Sequence, residues 1–283
     1  MKWLFHFILS HSIFIAFCAA ALSLQTLQLL SLPINEYLLA FIFFAALGGY
    51  NTYWILSSYS FNRHITFRSF LQKRSSSFLV LIAAITGMGL CLVHLQLFMY
   101  NLMIAALLLA VYSLPVTPFK KRLHFMLQAG VLKTIILALT WTIITTMVPL
   151  QISILSMGHT ALLIFISRFL FMLMLCIIFD KRDAAVDKLR GLQSLATEIK
   201  PVVLHYLIGL IFLVYIFISY FMLAHQVSMP QVIALIITGM VTIFVYINSL
   251  KKRGYFFYYF LVDGLMFLSA LLTGLAGWVI HNT

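Results

Sequence analysis

Apolar runs long enough to cross a lipid bilayer recur along this chain, and its basic residues fall in every second gap between them. A spanning helix needs about 20 mostly apolar residues. Nine stretches qualify, at roughly 9–30, 37–56, 76–95, 98–114, 125–147, 153–179, 201–223, 229–248 and 258–279. Lys2 precedes the first. Arg63, Arg68, Lys73 and Arg74 follow the second, and Lys120, Lys121 and Arg122 follow the fourth. Lys181, Arg182, Lys188, Arg190 and Lys200 follow the sixth, and Lys251, Lys252 and Arg253 follow the eighth. The intervening gaps hold no Lys or Arg, so 16 of the 18 basic residues lie on one side. Cytoplasmic loops carry such an excess, which predicts a cytoplasmic N-terminus and an external C-terminus. The weakest break is Gln96 to Asn101. Without it the third and fourth spans fuse into one overlong helix and the alternation is lost.

Composition agrees. Charged residues are 8% and hydrophobic ones 64%, against about 25% charged in an ordinary globular domain. The fold class expected is an all-α polytopic membrane protein, a single bundle of about nine transmembrane helices forming one domain over residues 1–283. The formal charge of +12 reads as positive-inside bias and contact with anionic lipid, so the bilayer is a partner and nucleic acid is not. Cys18, Cys91 and Cys176 lie inside apolar runs with no ligand spacing. The N-terminal run continues through Leu30, so it reads as an uncleaved first helix rather than a signal peptide. Phe17 stands where a lipoprotein signal needs a small residue.

Two basic residues and one acid fall inside the spans: Lys133, Arg168 and Asp263. A charge at membrane depth costs about 2.5–3.5 kcal/mol on insertion scales. Such residues face a bundle interior or a wet cavity, either as functional groups or as structural partners. Lys133 is near enough to a basic loop to snorkel, whereas Arg168 is near mid-span.

Three of the six acidic residues follow the sixth span, in Asp180-Lys-Arg-Asp183-Ala-Ala-Val-Asp187. On a helix, positions i, i+3 and i+7 fall within about 60° of one another. Gly191 and Ser194 continue the stripe. A row of carboxylates at a membrane surface can hold Mg²⁺ against a phosphate ligand, since hard oxygens suit the hard cation. It also suits a solvated helix end with i to i+4 charge pairs.

The spacing D-x-x-D-x-x-x-D-x-x-x-G-x-x-S-x-A after a sixth span resembles the second aspartate-rich motif of the UbiA superfamily of intramembrane prenyltransferases. Tyr112-Ser-Leu-Pro115 with its basic cluster after the fourth span, and the count of nine spans, are similar too. The resemblance implies binding of an isoprenyl diphosphate through Mg²⁺, ionisation of the allylic diphosphate, and prenyl transfer to an acceptor, often an aromatic ring. It makes Asp180, Asp183 and Asp187 the candidate metal ligands. The family's first motif, N-D-x-x-D-x-x-x-D, does not carry over. Its place reads Asn51-Thr52-Tyr53-Trp54-Ile55-Leu56-Ser57-Ser58-Tyr59, and no Asp or Glu lies between Glu36 and Asp180. Asn51, Lys133 and Arg168 are therefore the candidate diphosphate-binding residues, with Arg63 and His64 beside them, because Arg and Lys bind phosphate without metal.

Three function classes follow. One is a prenyltransferase with a single aspartate cluster and basic residues. Another is a non-catalytic UbiA-like protein that binds an isoprenoid or other lipid, or is structural. A transporter is the third, though no inverted repeat or matching pair of broken spans supports it. The sequence has no P-loop, dinucleotide fingerprint, H-E-x-x-H or G-x-S-x-G. Tyr255–Phe260 reads as an interfacial aromatic belt. The location expected is the cell (inner) membrane.

Overall fold

The computed structural model describes residues 2–61, 75–95, 101–104, 106–107, 130–151, 158–190, 194–225 and 227–282. Regular structure among them is helical throughout. Seven helices are long and apolar enough to cross a membrane, and Ile13–Leu29 is a shorter apolar one. The expected fourth span, the Tyr112–Pro115 loop and the basic residues from Arg63 to Arg74 and Lys120 to Arg122 lie outside the described residues, apart from helical 101–104 and 106–107.

The first span is longer than expected and broken. α1 (Lys2–Ser10) and α2 (Ile13–Leu29) meet at His11–Ser12, where Ser12 is left-handed with φ 61°. A break inside a membrane bundle leaves backbone groups that no lipid can satisfy. Asn51 on α3 (Glu36–Phe61) repairs it: its Nδ2 donates to the His11 carbonyl at 3.0 Å and to Leu47 O at 2.9 Å.

α2 is the hub. It packs on α3, on α10 (Asp263–Asn282) and on the π-helical turn Ile143–Met147 that continues α5 (Gly130–Thr142). The circuit closes through α9 (Met229–Ser249), α8 (Pro201–Phe221) and α6 (His159–Arg190), which returns to α5. α4 (Ser75–Val93) lies outside the circuit against α3, where the Phe44 ring packs onto Gly87 so closely that a Cβ there would meet it at 2.6 Å. α7 (Leu195–Glu198) is a short turn between α6 and α8.

Polarity does not separate inside from outside in lipid, so the packing does. On α8 the buried face is Leu204, Ile208, Ile211, Tyr215 and Ser219, a helical repeat. Tyr206, Leu210, Leu213, Phe217 and Tyr220, equally apolar or aromatic, are exposed on the other side. The buried Tyr215 hydroxyl donates to Leu235 O at 2.9 Å, and its ring lies 2.6 Å from where a Cβ on Gly239 would stand. Small residues at such crossings let helices approach.

The turn at the end of α5 has a readable cause. Pro149 lacks the N–H that would reach Thr145 O. The freed carbonyl instead accepts from Thr26 Oγ1 of α2 at 2.8 Å. Thr142, Thr145 and Thr146 hydroxyls also bond back to the carbonyls four residues earlier. A proline thus becomes a cross-helix tie. A second π-helical turn, Phe257–Val262, precedes α10.

Candidate functional site

At 32 residues, α6 is about 48 Å long. A bilayer core is about 30 Å thick, so the helix overruns it, and the overrun carries the carboxylates. The expected sixth span stopped at 179, yet the helix continues unbroken through Asp180, Asp183 and Asp187 to Arg190.

Asp180 is tied into the bundle. The buried Thr134 on α5 donates its hydroxyl to Asp180 Oδ2. The Leu195 N–H at the start of α7 and the charges of Lys133 and Asp187 lie within electrostatic range of the same carboxyl. α7 in turn holds the start of α5, where Glu198 Oε2 accepts from Val131 N at 3.4 Å. Lys133 and Asp180 thus lie on neighbouring helices within electrostatic range of each other.

Asp183 has a different partner. Arg182 Nε donates to Oδ1 at 2.7 Å and Nη2 to Oδ2 at 2.8 Å, a two-pronged pair. The guanidinium lies over three rings: Phe179 at 4.8 Å, Tyr259 at 4.9 Å and Tyr258 at 5.2 Å. Its Nη1 is buried and has no hydrogen-bond partner among the described residues. The rings come from the segment expected to be an interfacial belt, and Tyr258 and Tyr259 do more than face lipid.

This arrangement bears on Mg²⁺. Among the described residues no group of three or more His, Cys, Asp or Glu side chains is placed to hold a metal ion. Two neighbouring pairs on the stripe are close enough in sequence to share one ion, Asp180 with Asp183 and Asp183 with Asp187. Asp180 and Asp187 are about 10 Å apart along the axis, too far to do so alone. Both usable pairs include Asp183, and both of its oxygens accept from Arg182. As arranged, the carboxylates do not fit a metal.

The other two candidates sit elsewhere. Asn51 has its amide nitrogen engaged at the α1–α2 break. Arg168, 5% exposed, lies about 18 Å deeper along α6 than Asp180. It donates to Leu22 O at 3.0 Å, Gln25 Oε1 at 2.7 Å and Thr26 Oγ1 at 3.4 Å. Gln25 Nε2 passes the network on to Ser269 O, Ser269 Oγ and Thr273 Oγ1 at 2.9–3.0 Å. A cavity of about 10 Å³ beside it, lined by Ser167, Tyr215 and Ser269 among others, has room for about one water. Asp263, also buried, opens α10 just after its π-helical turn, within reach of the Arg182 charge.

Thr134 and the use made of Arg182 were not foreseen. Thr134 carries no mark that separates it from other helical threonines. Arg182 read as one more basic residue of the loop.

No protein-family model and no curated protein sequence matches the chain significantly. Solved structures do. A UbiA homologue from Aeropyrum pernix K1 in its apo form is similar with TM-score 0.60 at 15% identity, covering 97% of this chain and 99% of that one. The chain has the UbiA fold. A digeranylgeranylglyceryl phosphate synthase structure is similar with TM-score 0.55 at 12% identity, over 98% of this chain and 99% of the other. The UbiA fold thus spans essentially the whole sequence, although few residues are shared.

Proposed function

We propose that this chain is a UbiA-type intramembrane prenyltransferase, which takes an isoprenyl diphosphate at the cytoplasmic face of the cell membrane and transfers its prenyl group to an acceptor of aromatic or related nucleophilic character. The observation that carries the reading is the Asp180, Asp183 and Asp187 stripe, continuous with a spanning helix, at one end of a bundle with this fold. In the reaction the bond between C1 of the prenyl chain and the diphosphate oxygen breaks, and its electrons leave with the diphosphate. The acceptor forms a bond to C1 and gives up a proton.

The chain's own contribution is placement and exclusion of water. Lys133 and Arg182 supply positive charge near the stripe, where the leaving group gathers negative charge. The apolar interior shields the allylic cation from hydrolysis. Trp141 and Tyr50, joined by a 3.2 Å hydrogen bond from Nε1 to the hydroxyl, offer aromatic faces to a cation there. Mg²⁺ is the ion such chemistry ordinarily uses, to neutralise a leaving diphosphate. The carboxylates as arranged do not fit it.

The test is diphosphate release by the protein in lipid nanodiscs, with farnesyl and geranylgeranyl diphosphate as donors and a panel of phenolic and alcohol acceptors. Product with any acceptor supports the reading. Binding of donor without turnover would replace it with a non-catalytic isoprenoid-binding protein, and absence of donor binding would sink it. Orientation has its own check: a C-terminal reporter should prove external, and cytoplasmic activity would overturn the topology.

A further inference from the structure

Arg182 is placed unlike an ordinary loop arginine. Two of its nitrogens grip Asp183, three rings flank its plane, and the remaining Nη1 is buried without an acceptor. An unmet buried donor costs about 1–3 kcal/mol, more for a charged group, so it marks a place where an acceptor is missing. Nη1 is covered although the side chain as a whole is 23% exposed, so a ligand that pairs with it displaces what covers that edge. The other half of the expected acidic apparatus is absent, since Thr52, Ile55 and Tyr59 stand where carboxylates would be and no Asp or Glu lies between Glu36 and Asp180.

We propose that Arg182 occupies Asp183 in the place a divalent cation would take, and that its unpaired Nη1 edge receives the diphosphate of the incoming prenyl chain directly. The proposal rests on the prenyl-diphosphate reading above. A guanidinium is suited to it. It is planar, permanently charged and forked, and it matches phosphate oxygens with more than one N–H. Asp183 is then a positioning residue: it fixes the fork so that the free edge is presented, and the rings of Phe179, Tyr258 and Tyr259 hold the plane. Asp183 is unavailable to metal for as long as Arg182 holds it. No covalent step is added by this assignment, which concerns only how the leaving group is held.

The experiment has two arms on the full chain in nanodiscs. In the first, binding of tritiated farnesyl diphosphate is measured with EDTA and with Mg²⁺, for wild type, Arg182→Gln and Arg182→Lys. Wild type should bind in EDTA within about twofold of its affinity in Mg²⁺. Arg182→Gln should bind at least about tenfold more weakly, and Arg182→Lys should recover part of the loss, because charge returns without the fork. Farnesol binding should be the same in all three, which shows that the bundle is intact. In the second arm, Mn²⁺ alone is titrated by electron spin resonance. Wild type should bind it poorly. Arg182→Gln should bind it better, because Asp183 is freed, and Arg182→Gln with Asp183→Asn should lose the gain. A purely structural arginine would not give opposite changes in the two arms.

Equal farnesyl diphosphate affinity of wild type and Arg182→Gln would overturn the proposal while leaving the functional reading standing. So would loss of wild-type binding in EDTA, or Mn²⁺ binding unchanged by Arg182→Gln. If wild type bound no farnesyl diphosphate in either buffer, the functional reading would fall and this assignment with it.

Discussion

Arg168 and Arg182 lie on the same helix, about 21 Å apart along its axis, and their surroundings are opposite. Arg168 is buried at mid-bundle among neutral acceptors: Leu22 O, Gln25 and Thr26 take its donors, and among the described residues no carboxylate bonds to it. Arg182 is partly exposed at the end of the bundle, has a carboxylate on one edge, and leaves its other edge unmet. The first is a tie whose bonds reach α2 directly and, through Gln25 and Thr26, α10 and the end of α5. The second is half a binding site. Charge in a membrane protein is thus no guide to role; what decides is whether the donors are already used.

The comparison can be broken by substitution. The largest effect is expected for Arg168→Leu, which strands Gln25 Oε1 in a buried network and removes the tie to the Leu22 carbonyl. At about 1–3 kcal/mol for that stranded group, together with the void left by the side chain, the melting midpoint in detergent should fall further than for any other substitution here. Arg168→Gln, which keeps hydrogen bonding without charge, should fall between. If Arg168→Leu melted like wild type, Arg168 would be free for another role and the contrast would fail.

Gly239→Ala comes next. Its new Cβ would stand 2.6 Å from the Tyr215 ring, which is anchored through its hydroxyl to Leu235. Overpacking of this kind costs about 1–3 kcal/mol, read as a lowered melting midpoint. Asn51→Leu should cost about 1 kcal/mol by leaving the His11 carbonyl open at the α1–α2 break, with diphosphate affinity otherwise retained. A selective loss of diphosphate affinity at full stability would return Asn51 to the list of ligands.

Arg182→Gln should have the smallest effect on stability. An ion pair this exposed contributes about 0–1 kcal/mol, so the melt should scarcely move. A stability loss as large as that of Arg168→Leu would make the two arginines alike.

Much of the fold was legible because lipid imposes strict rules. Length and hydropathy located the spans, and the basic gaps gave their alternation. Asp180, Asp183 and Asp187 could be placed on one face from the helical period alone. Other features needed contacts between distant segments. Ser12 is an ordinary serine in an apolar run, and nothing near it signals a left-handed residue. Asn51 therefore read as the remnant of a ligand motif, whereas its amide closes a break forty residues earlier. Pro149 stands beyond the expected end of the fifth span, and Thr26, which answers the carbonyl it frees, lies 119 residues from Thr145 in the chain.

By itself the sequence determined that this chain crosses a membrane repeatedly and that three carboxylates share one stripe, and it set an expectation for which helix ends share a side. These follow from local chemistry: apolar length, loop charge and a repeat of 3.6 residues. Only the tertiary structure decided which charges are engaged and which remain open. Hydrogen-bond partners in a bundle come from other helices, so Thr134 for Asp180, Gln25 for Arg168 and the tyrosines beside Arg182 could not be read from spacing. The state of each donor, and with it the candidate site, is a property of the assembled bundle.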